Sequence, residues 1–130
     1  MTTKITIIIP CYNEINIIEK SISRISNIIN NNKLFKIVIV DDGSKDGTRE
    51  WLQKNIDQYF ININYQIIYL ENNLGKSQAI QKGIENIEGN YVGLIDADLE
   101  YNLNDLIEMY NIINKDNTLD AIFGSRNLGN

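Results

Sequence analysis

Apolar runs and amphipathic segments alternate along this chain, and the alternation limits the folds that it can adopt. Short runs rich in Ile, Val, Leu and Tyr predict strands at residues 4–9, 36–40, 65–70, 91–95 and 119–123. Helical spacing of apolar residues predicts helices at residues 14–29, 48–59, 75–87 and 104–114. This pattern predicts an α/β fold with a mostly parallel sheet and helices on both faces.

A cluster of polar residues follows each predicted strand. In open parallel sheets, ligands bind beyond the carboxyl ends of the strands, so these clusters should meet at one edge. Any single cluster is compatible with an ordinary loop, but five at one edge predict a binding site. The clusters lie at residues 11–14, 41–44, 72–75, 96–98 and 124–126.

Length, charge and cysteine content restrict the partners and the setting. The 130 residues predict a single domain over residues 1–130. A net charge of −5 argues against nucleic acid or an anionic membrane as the main partner. Cys11 is the single cysteine, so no internal disulfide can form and a reducing, cytoplasmic setting is expected. No apolar run approaches the length of a membrane span, so no membrane-spanning segment is expected.

Asp96 and Asp98 directly follow the fourth predicted strand, which we expect to be buried. Two carboxylates at close range raise each other's pKa, and a divalent cation between them removes the conflict. Their hard oxygen atoms suit Mg²⁺ or Mn²⁺, which retain water molecules and also coordinate substrate phosphates. The pair therefore predicts a metal-bound, phosphate-bearing substrate. The alternative is two solvated loop acids.

Four motifs, in this order, resemble the signature of family 2 glycosyltransferases. They are Ile-Ile-Ile-Pro-Cys-Tyr-Asn-Glu (7–14), Val-Asp-Asp-Gly-Ser-Lys-Asp-Gly-Thr (40–48), Asn-Leu-Gly-Lys-Ser-Gln-Ala-Ile-Gln-Lys-Gly (73–83) and Asp-Ala-Asp (96–98). The resemblance covers essentially the whole chain and implies the Rossmann-like GT-A fold in a minimal version. Residues 96–126 are most similar to the branch of dolichyl-phosphate mannose and undecaprenyl-phosphate glucose synthases.

The resemblance implies a metal-dependent, inverting hexosyltransferase that uses a UDP-sugar, with UDP-glucose favoured, and Mn²⁺ or Mg²⁺. It makes Asp98 the catalytic metal ligand, while Asp96 lies nearer the ribose or binds the metal through water. The cation would stabilise the charge that develops on the leaving diphosphate. Asp42 resembles the acid that accepts a hydrogen bond from the uracil or guanine ring. Asp41 is expected to cap the following turn.

Further residues are assigned to the nucleotide sugar by the same resemblance. Pro10, Tyr12 and Glu14 lie in the segment that wraps the base and ribose, although Glu14 could instead serve as an anion early in a helix. Gly75 and Lys76 open a helix whose free N–H groups face the diphosphate, although Lys76 could be a solvated lysine. The remaining assigned residues are Ala97, between the two acids, and Arg126, which suits a phosphate.

The region that faces the acceptor in the family, including its catalytic base on a later helix, has no counterpart here. The base would then be Glu100 or an acceptor that is already ionised. We therefore favour an active minimal transferase with an unknown acceptor, a glycan or a lipid phosphate. The runner-up is a nucleotide-sugar-binding module completed by a partner chain or a second copy. A nucleotidyltransferase is a weaker hypothesis, since such enzymes carry a Gly-rich basic N-terminal loop and residues 10–14 here are neither Gly-rich nor basic.

A missing acceptor side should also leave apolar surface uncovered. Such surface favours self-association, so a homodimer is expected.

Overall fold

The computed structural model describes residues 3–99, 102–116, 118–119 and 121. Strands and helices alternate through these residues, as the sequence predicts. The elements are β1 Ile5–Cys11, α1 Ile18–Ile29, β2 Phe35–Asp41, α2 Thr48–Tyr59, β3 Asn64–Tyr69, α3 Lys76–Ile84, β4 Tyr91–Leu94 and α4 Leu103–Lys115. Of the predicted fifth strand, Leu119 and Ala121 are described and belong to no strand, while residues 120, 122 and 123 lie outside the described part.

The four strands of the described residues form one parallel sheet in the order β3-β2-β1-β4. The chain steps outward from β1 to β3 and then returns to the other side of β1. Because parallel crossovers are right-handed, this reversal sends α3 to the opposite face from α1 and α2. α1, α2 and α4 cover one face, and Ala79 of α3 packs with Ile8 and Val38 on the other. The predicted α/β fold, with helices on both faces, is confirmed.

The two central strands are almost fully buried, which explains their continuous apolar composition. Ile7 and Ile9 of β1 pack towards α1, while Ile8 faces α3. The apolar stripe of α1 is buried at the helical spacing seen in the sequence, at Ile18, Ile22, Ile25 and Ile29.

Pro10 does not end the first strand, contrary to the predicted boundary at residue 9. The carbonyl of Ile8 accepts the N–H of Ile95 at 3.2 Å, so Ile8 and Pro10 both present their backbone nitrogens to the β4 side. Pairing with β4 ends where Ile8 meets Leu94. The N–H that proline lacks therefore lies beyond the paired segment, and β1 continues to Cys11.

Two predicted helices are too long. Residues 14–17 form a turn in which the Glu14 carbonyl accepts the N–H groups of Ile17 and Ile18, and α1 begins only at Ile18. α3 ends at Ile84 and not at residue 87, and Ile84 and Ile87, which the helical spacing of apolar residues would turn inward, are 45% and 40% exposed. Small residues face the sheet instead.

Gly83 shows why small residues are needed there. A Cβ atom on Gly83 would lie 2.6 Å from Cγ2 of Ile8, so α3 approaches β1 too closely for a larger side chain. The helix therefore contacts the sheet through Ala79 and Gly83, both of which are buried.

β4 is less buried than its apolar sequence predicts. Val92 and Leu94 are 41% and 53% exposed, whereas Tyr91 packs edge-on against Tyr110 of α4 with ring centroids 5.8 Å apart. The expected burial is therefore wrong for one face of this strand. No helix within the described residues has the length and apolarity that a bilayer crossing requires.

Candidate functional site

An open cavity of about 270 Å³ lies where the carboxyl ends of the four strands meet. Strand order reverses between β1 and β4, and such a reversal leaves a crevice between the loops on either side. The cavity is lined by residues at or after the ends of all four strands, namely Pro10, Cys11, Tyr12, Glu14, Asp42, Asn73, Gly75, Lys76, Asp96, Ala97 and Asp98.

Every predicted site residue in the described part of the chain lines this one cavity. Cys11 and Asn73 line it as well, although neither was assigned a ligand role from the sequence. Glu100 and Arg126 lie outside the described residues. The structure thus brings the candidates together, and their individual roles stay predictions.

Asp42 is only 3% exposed and joins two of the loops. Its Oδ1 accepts the N–H of Leu74 at 2.8 Å, and its Oδ2 accepts the N–H of Gly75 at 3.0 Å. The side-chain amide of Asn73 also donates to Oδ2, at 3.1 Å. A carboxylate offers about four lone-pair positions, so Oδ1 can still accept one further donor from the cavity.

Gly43 lets the loop after β2 approach the loop after β3. Its φ is +74°, and a Cβ atom there would lie 2.5 Å from the backbone carbon of Asn72. No other residue fits this position without moving the backbone, so the Asp-Gly dipeptide sets the contact between the two loops.

Asp41, in contrast, is fully buried and bound within the protein. Its Oδ2 lies 3.0 Å from Nε of Arg49, which also donates to the carbonyl of Leu70 and lies over the Tyr69 ring. The Cys11 thiol donates to the other carboxylate oxygen at 3.9 Å. Asp41 therefore serves structure, as expected, but by pairing with Arg49 and not by capping a turn. Sequence reasoning missed Arg49, although a buried acid calls for a cation nearby.

Burial raises the pKa of the Cys11 thiol far above its ordinary value, and the charges of Asp41 and Glu14 raise it further. A thiol in such surroundings stays protonated and is a poor nucleophile. Cys11 therefore forms part of the cavity wall and is not a reactive group.

The loop that carries Tyr12 and Glu14 is fastened to the loop after β2 by side-chain acceptors. The backbone N–H of Asn13 donates to Oγ of Ser44 at 2.8 Å, and its side-chain oxygen accepts the N–H of Lys45 at 2.9 Å. Two further acceptors hold the next two N–H groups: Thr48 Oγ1 for Glu14 at 2.8 Å and Asp46 Oδ2 for Ile15 at 3.1 Å.

Asp46 also binds the start of α2. Its Oδ1 accepts the N–H of Thr48 at 3.0 Å and the Thr48 hydroxyl at 2.6 Å. The N-cap residue of α2 is Gly47, which has no side chain, and Asp46 binds the first helical residue from the position before it. Asp46 and Thr48 also hold the loop before α1, a tertiary contact that sequence patterns do not reveal.

The two acids after β4 lie in a tight turn. The N–H of Leu99 donates to the Asp96 carbonyl at 2.9 Å, and Ala97 is buried between the two acids. Lys76 Nζ lies 2.6 Å from Oδ1 of Asp96, with the two side chains 61% and 40% exposed. An ion pair as exposed as this contributes only about 0–1 kcal/mol, so a competing cation can displace it at little cost.

The charge balance of the cavity favours a further cation. Burial raises the pKa of Glu14, and the charges of Asp98, Asp46 and Asp96 raise it further. Of the lining residues that the structure describes, Lys76 is the one cation. Within the described ranges, no three side chains are grouped as a complete metal site. Mg²⁺ typically uses one or two carboxylates and takes its other ligands from water and substrate phosphates. Asp96 and Asp98 fit that requirement.

Comparison with known proteins places the chain in a family. Residues 6–128 match the model of glycosyl transferase family 2. An uncharacterized glycosyltransferase of Synechocystis sp. is 40% identical over 101 residues, covering 77% of this chain and 31% of the relative.

Two solved structures have a similar fold. The structure of S. aureus TarS 1-349 in complex with UDP-GlcNAc gives a TM-score of 0.71 at 26% identity, and the match covers 87% of this chain and 32% of that TarS 1-349 chain. The mannosyltransferase PcManGT of Pyrobaculum calidifontis, in complex with GDP-Man and Mn²⁺, gives 0.63 at 25% identity, covering 75% and 28%.

The chain thus spans about a third of the length of these relatives. The relatives do not confirm the expected closeness to the dolichyl-phosphate mannose synthase branch. The fold of the neighbours agrees with the predicted GT-A fold. On the match over residues 6–128, the chain belongs to glycosyl transferase family 2.

Proposed function

We propose that this domain binds a nucleotide sugar, preferentially a UDP-sugar, with Mn²⁺ or Mg²⁺ in the cavity at the carboxyl edge of the sheet, and transfers the sugar. The observation that carries the proposal is that Asp42, Asp96, Asp98 and the start of α3 line one cavity. The complexes of TarS with UDP-GlcNAc and of PcManGT with GDP-Man and Mn²⁺ support this class of ligand. Among UDP-sugars, UDP-glucose and UDP-GlcNAc are the first candidates.

The nucleoside would bind on the β1 and β2 side of the cavity. Tyr12 is 45% exposed at this edge and offers a ring on which a base can stack. Oδ1 of Asp42 has room for one N–H from the base edge. Glu14 is placed to accept a hydrogen bond from a ribose hydroxyl. Pro10 forms the adjoining wall.

The diphosphate would bind on the β4 and α3 side. Asp98 would hold the cation directly, with Asp96 beside it, and the bound cation would supply Lewis-acid stabilisation of the leaving diphosphate. α3 begins at Lys76, so its first N–H groups and the Lys76 ammonium add positive charge at the same place. Ala97 is buried and fixes the spacing of the two acids.

Transfer also needs a base and an acceptor. We propose Glu100 as the base and Arg126 as a phosphate contact, in an inverting reaction on a glycan or a lipid phosphate. Both residues lie outside the described ranges. The alternative proposal is a module that binds the donor and is completed by other polypeptide. A cytoplasmic setting and a homodimer also stay predictions, and the exposed Val92 and Leu94 support self-association.

Calorimetry with UDP tests the metal site. Wild-type protein should bind UDP more tightly with Mn²⁺ present, and Asp98→Asn should remove that gain. Loss of residues that merely orient metal ligands costs about 10–100-fold, so losing a direct ligand should cost at least tenfold. Glu85→Gln, an exposed carboxylate at the far end of α3, makes the same charge change and should behave as wild type. UDP binding that does not respond to Mn²⁺ in the wild type would refute the metal site.

Turnover separates the transferase from the binding module. UDP-glucose, UDP-GlcNAc and GDP-mannose would each be incubated with the protein and Mn²⁺, and release of the nucleoside diphosphate measured. We expect slow release from a UDP-sugar by hydrolysis, and none with Asp98→Asn. Intact binding without any release, even with candidate acceptors added, would favour the module.

Lys76→Met should change the affinities for metal and nucleotide in opposite directions. Without the ammonium, Asp96 is freed for a cation, and Mn²⁺ alone should bind up to about fivefold more tightly, the limit set by an exposed ion pair. UDP with Mn²⁺ should bind more weakly because the diphosphate loses a positive partner. The measurement is titration of both ligands, with Lys54→Met on the exposed face of α2 as the control. A parallel change for both ligands would contradict this role of Lys76, and the same opposite changes in Lys54→Met would show that only net charge matters.

A further inference from the structure

We infer that Asp46 and Thr48 are positioning residues that hold the loop of residues 12–15 against the nucleoside end of the ligand. The inference rests on the proposed function, because it assumes that this loop contacts the base and ribose. Neither side chain lines the cavity. Both would act through the loop backbone, at the N–H groups of Glu14 and Ile15.

The loop needs these partners because its backbone donors have no regular structure to bind. It lies between the end of β1 and the turn that precedes α1. Backbone N–H groups that are withdrawn from water without an acceptor are costly. Three consecutive N–H groups, from Asn13 to Ile15, instead find side-chain acceptors on the loop after β2 and on the first residue of α2. The position of the loop is thus set by side chains from a different part of the chain.

Thr48 occupies the central position in this arrangement. Its hydroxyl accepts the N–H of Glu14 at 2.8 Å while donating to Asp46 at 2.6 Å. A hydroxyl can do both at once, whereas a methyl group of the same size can do neither. Thr48 is fully buried, so water cannot take over either bond. Glu14 is therefore held through its backbone by a residue one loop away.

Asp46 fixes the orientation of the Thr48 hydroxyl. Its two oxygens accept three hydrogen bonds, two from Thr48 and one from the N–H of Ile15. Burial alone would raise the pKa of Asp46, but these hydrogen bonds outweigh it and the pKa is lowered. The carboxylate thus stays charged at neutral pH, and the arrangement weakens only as the pH falls through its lowered pKa.

The diphosphate end of the cavity is built from other elements. Asp96 and Asp98 lie on the turn after β4, and Lys76 lies at the start of α3. Asp42, not Asp46 or Thr48, binds the loop that leads into α3. Disturbing the Asp46–Thr48 arrangement should therefore affect the nucleoside end and leave the diphosphate end intact.

Thr48→Val tests this separation with two probes, UDP and inorganic pyrophosphate, each titrated with Mn²⁺. We expect UDP to bind on the order of tenfold more weakly, since a buried N–H is left unsatisfied, while pyrophosphate affinity changes less than about twofold. Thr48→Ser keeps the hydroxyl and should restore UDP binding. Asp46→Asn should give a smaller loss for UDP alone. Thermal unfolding of each variant reports whether the fold is retained.

Different outcomes separate the inference from the function on which it rests. If wild-type protein binds neither UDP nor pyrophosphate with Mn²⁺, the proposed function fails. If the wild type binds both and Thr48→Val weakens both equally, or neither, the positioning role is wrong. Failure of Thr48→Ser to restore UDP binding would likewise overturn it. Should Thr48→Val not fold, the same comparison is made with Asp46→Asn, and equal loss of both ligands would overturn the inference.

Discussion

The ion pair between the fully buried Asp41 and the partly buried Arg49 holds the site together. It joins the ends of three parallel strands, because Asp41 ends β2, the Cys11 thiol at the end of β1 donates to it, and Arg49 reaches the Leu70 carbonyl after β3. Removing Arg49 would leave the fully buried Asp41 carboxylate without its cation, and such a loss costs about 3–5 kcal/mol. These contacts hold the carboxyl ends of β1, β2 and β3 together, and the candidate ligand groups lie at or after strand ends.

The acids in the loops beyond this ion pair have two kinds of role. Asp42 accepts hydrogen bonds mostly from the loop before α3, and Asp46 accepts one from the loop before α1. Among the described residues that line the cavity, Glu14, Asp96 and Asp98 outnumber the one cation, Lys76. Structural acids thus shape the cavity, Glu14 adds negative charge after β1, and Asp96 and Asp98 add it after β4. A metal-bound diphosphate suits that arrangement because the metal carries positive charge to the acids and the phosphates complete its coordination.

Sequence reasoning found the fold and the cavity because both follow from local patterns. The spacing and length of the apolar runs predict the strands, and polar residues that follow parallel strands must lie at one edge of the sheet. It failed where the answer depends on tertiary contacts. The N–H that Pro10 lacks lies beyond the segment that pairs with β4, and α3 packs on the sheet through Ala79 and Gly83, which leaves Ile84 exposed. Arg49 was missed for the same reason, since its partner lies in another element. Glu100 stays a prediction.

Diffraction from crystals grown with UDP and Mn²⁺ would show whether a cation binds at Asp98 beside the diphosphate. Anomalous scattering measured at the manganese absorption edge locates the ion independently of any assumed chemistry. The account predicts one peak within coordination distance of an Asp98 carboxylate oxygen and of the diphosphate, with the uracil between Tyr12 and Asp42. An ordered UDP with no anomalous peak beside Asp98, or a peak away from the carboxyl edge of the sheet, would contradict it.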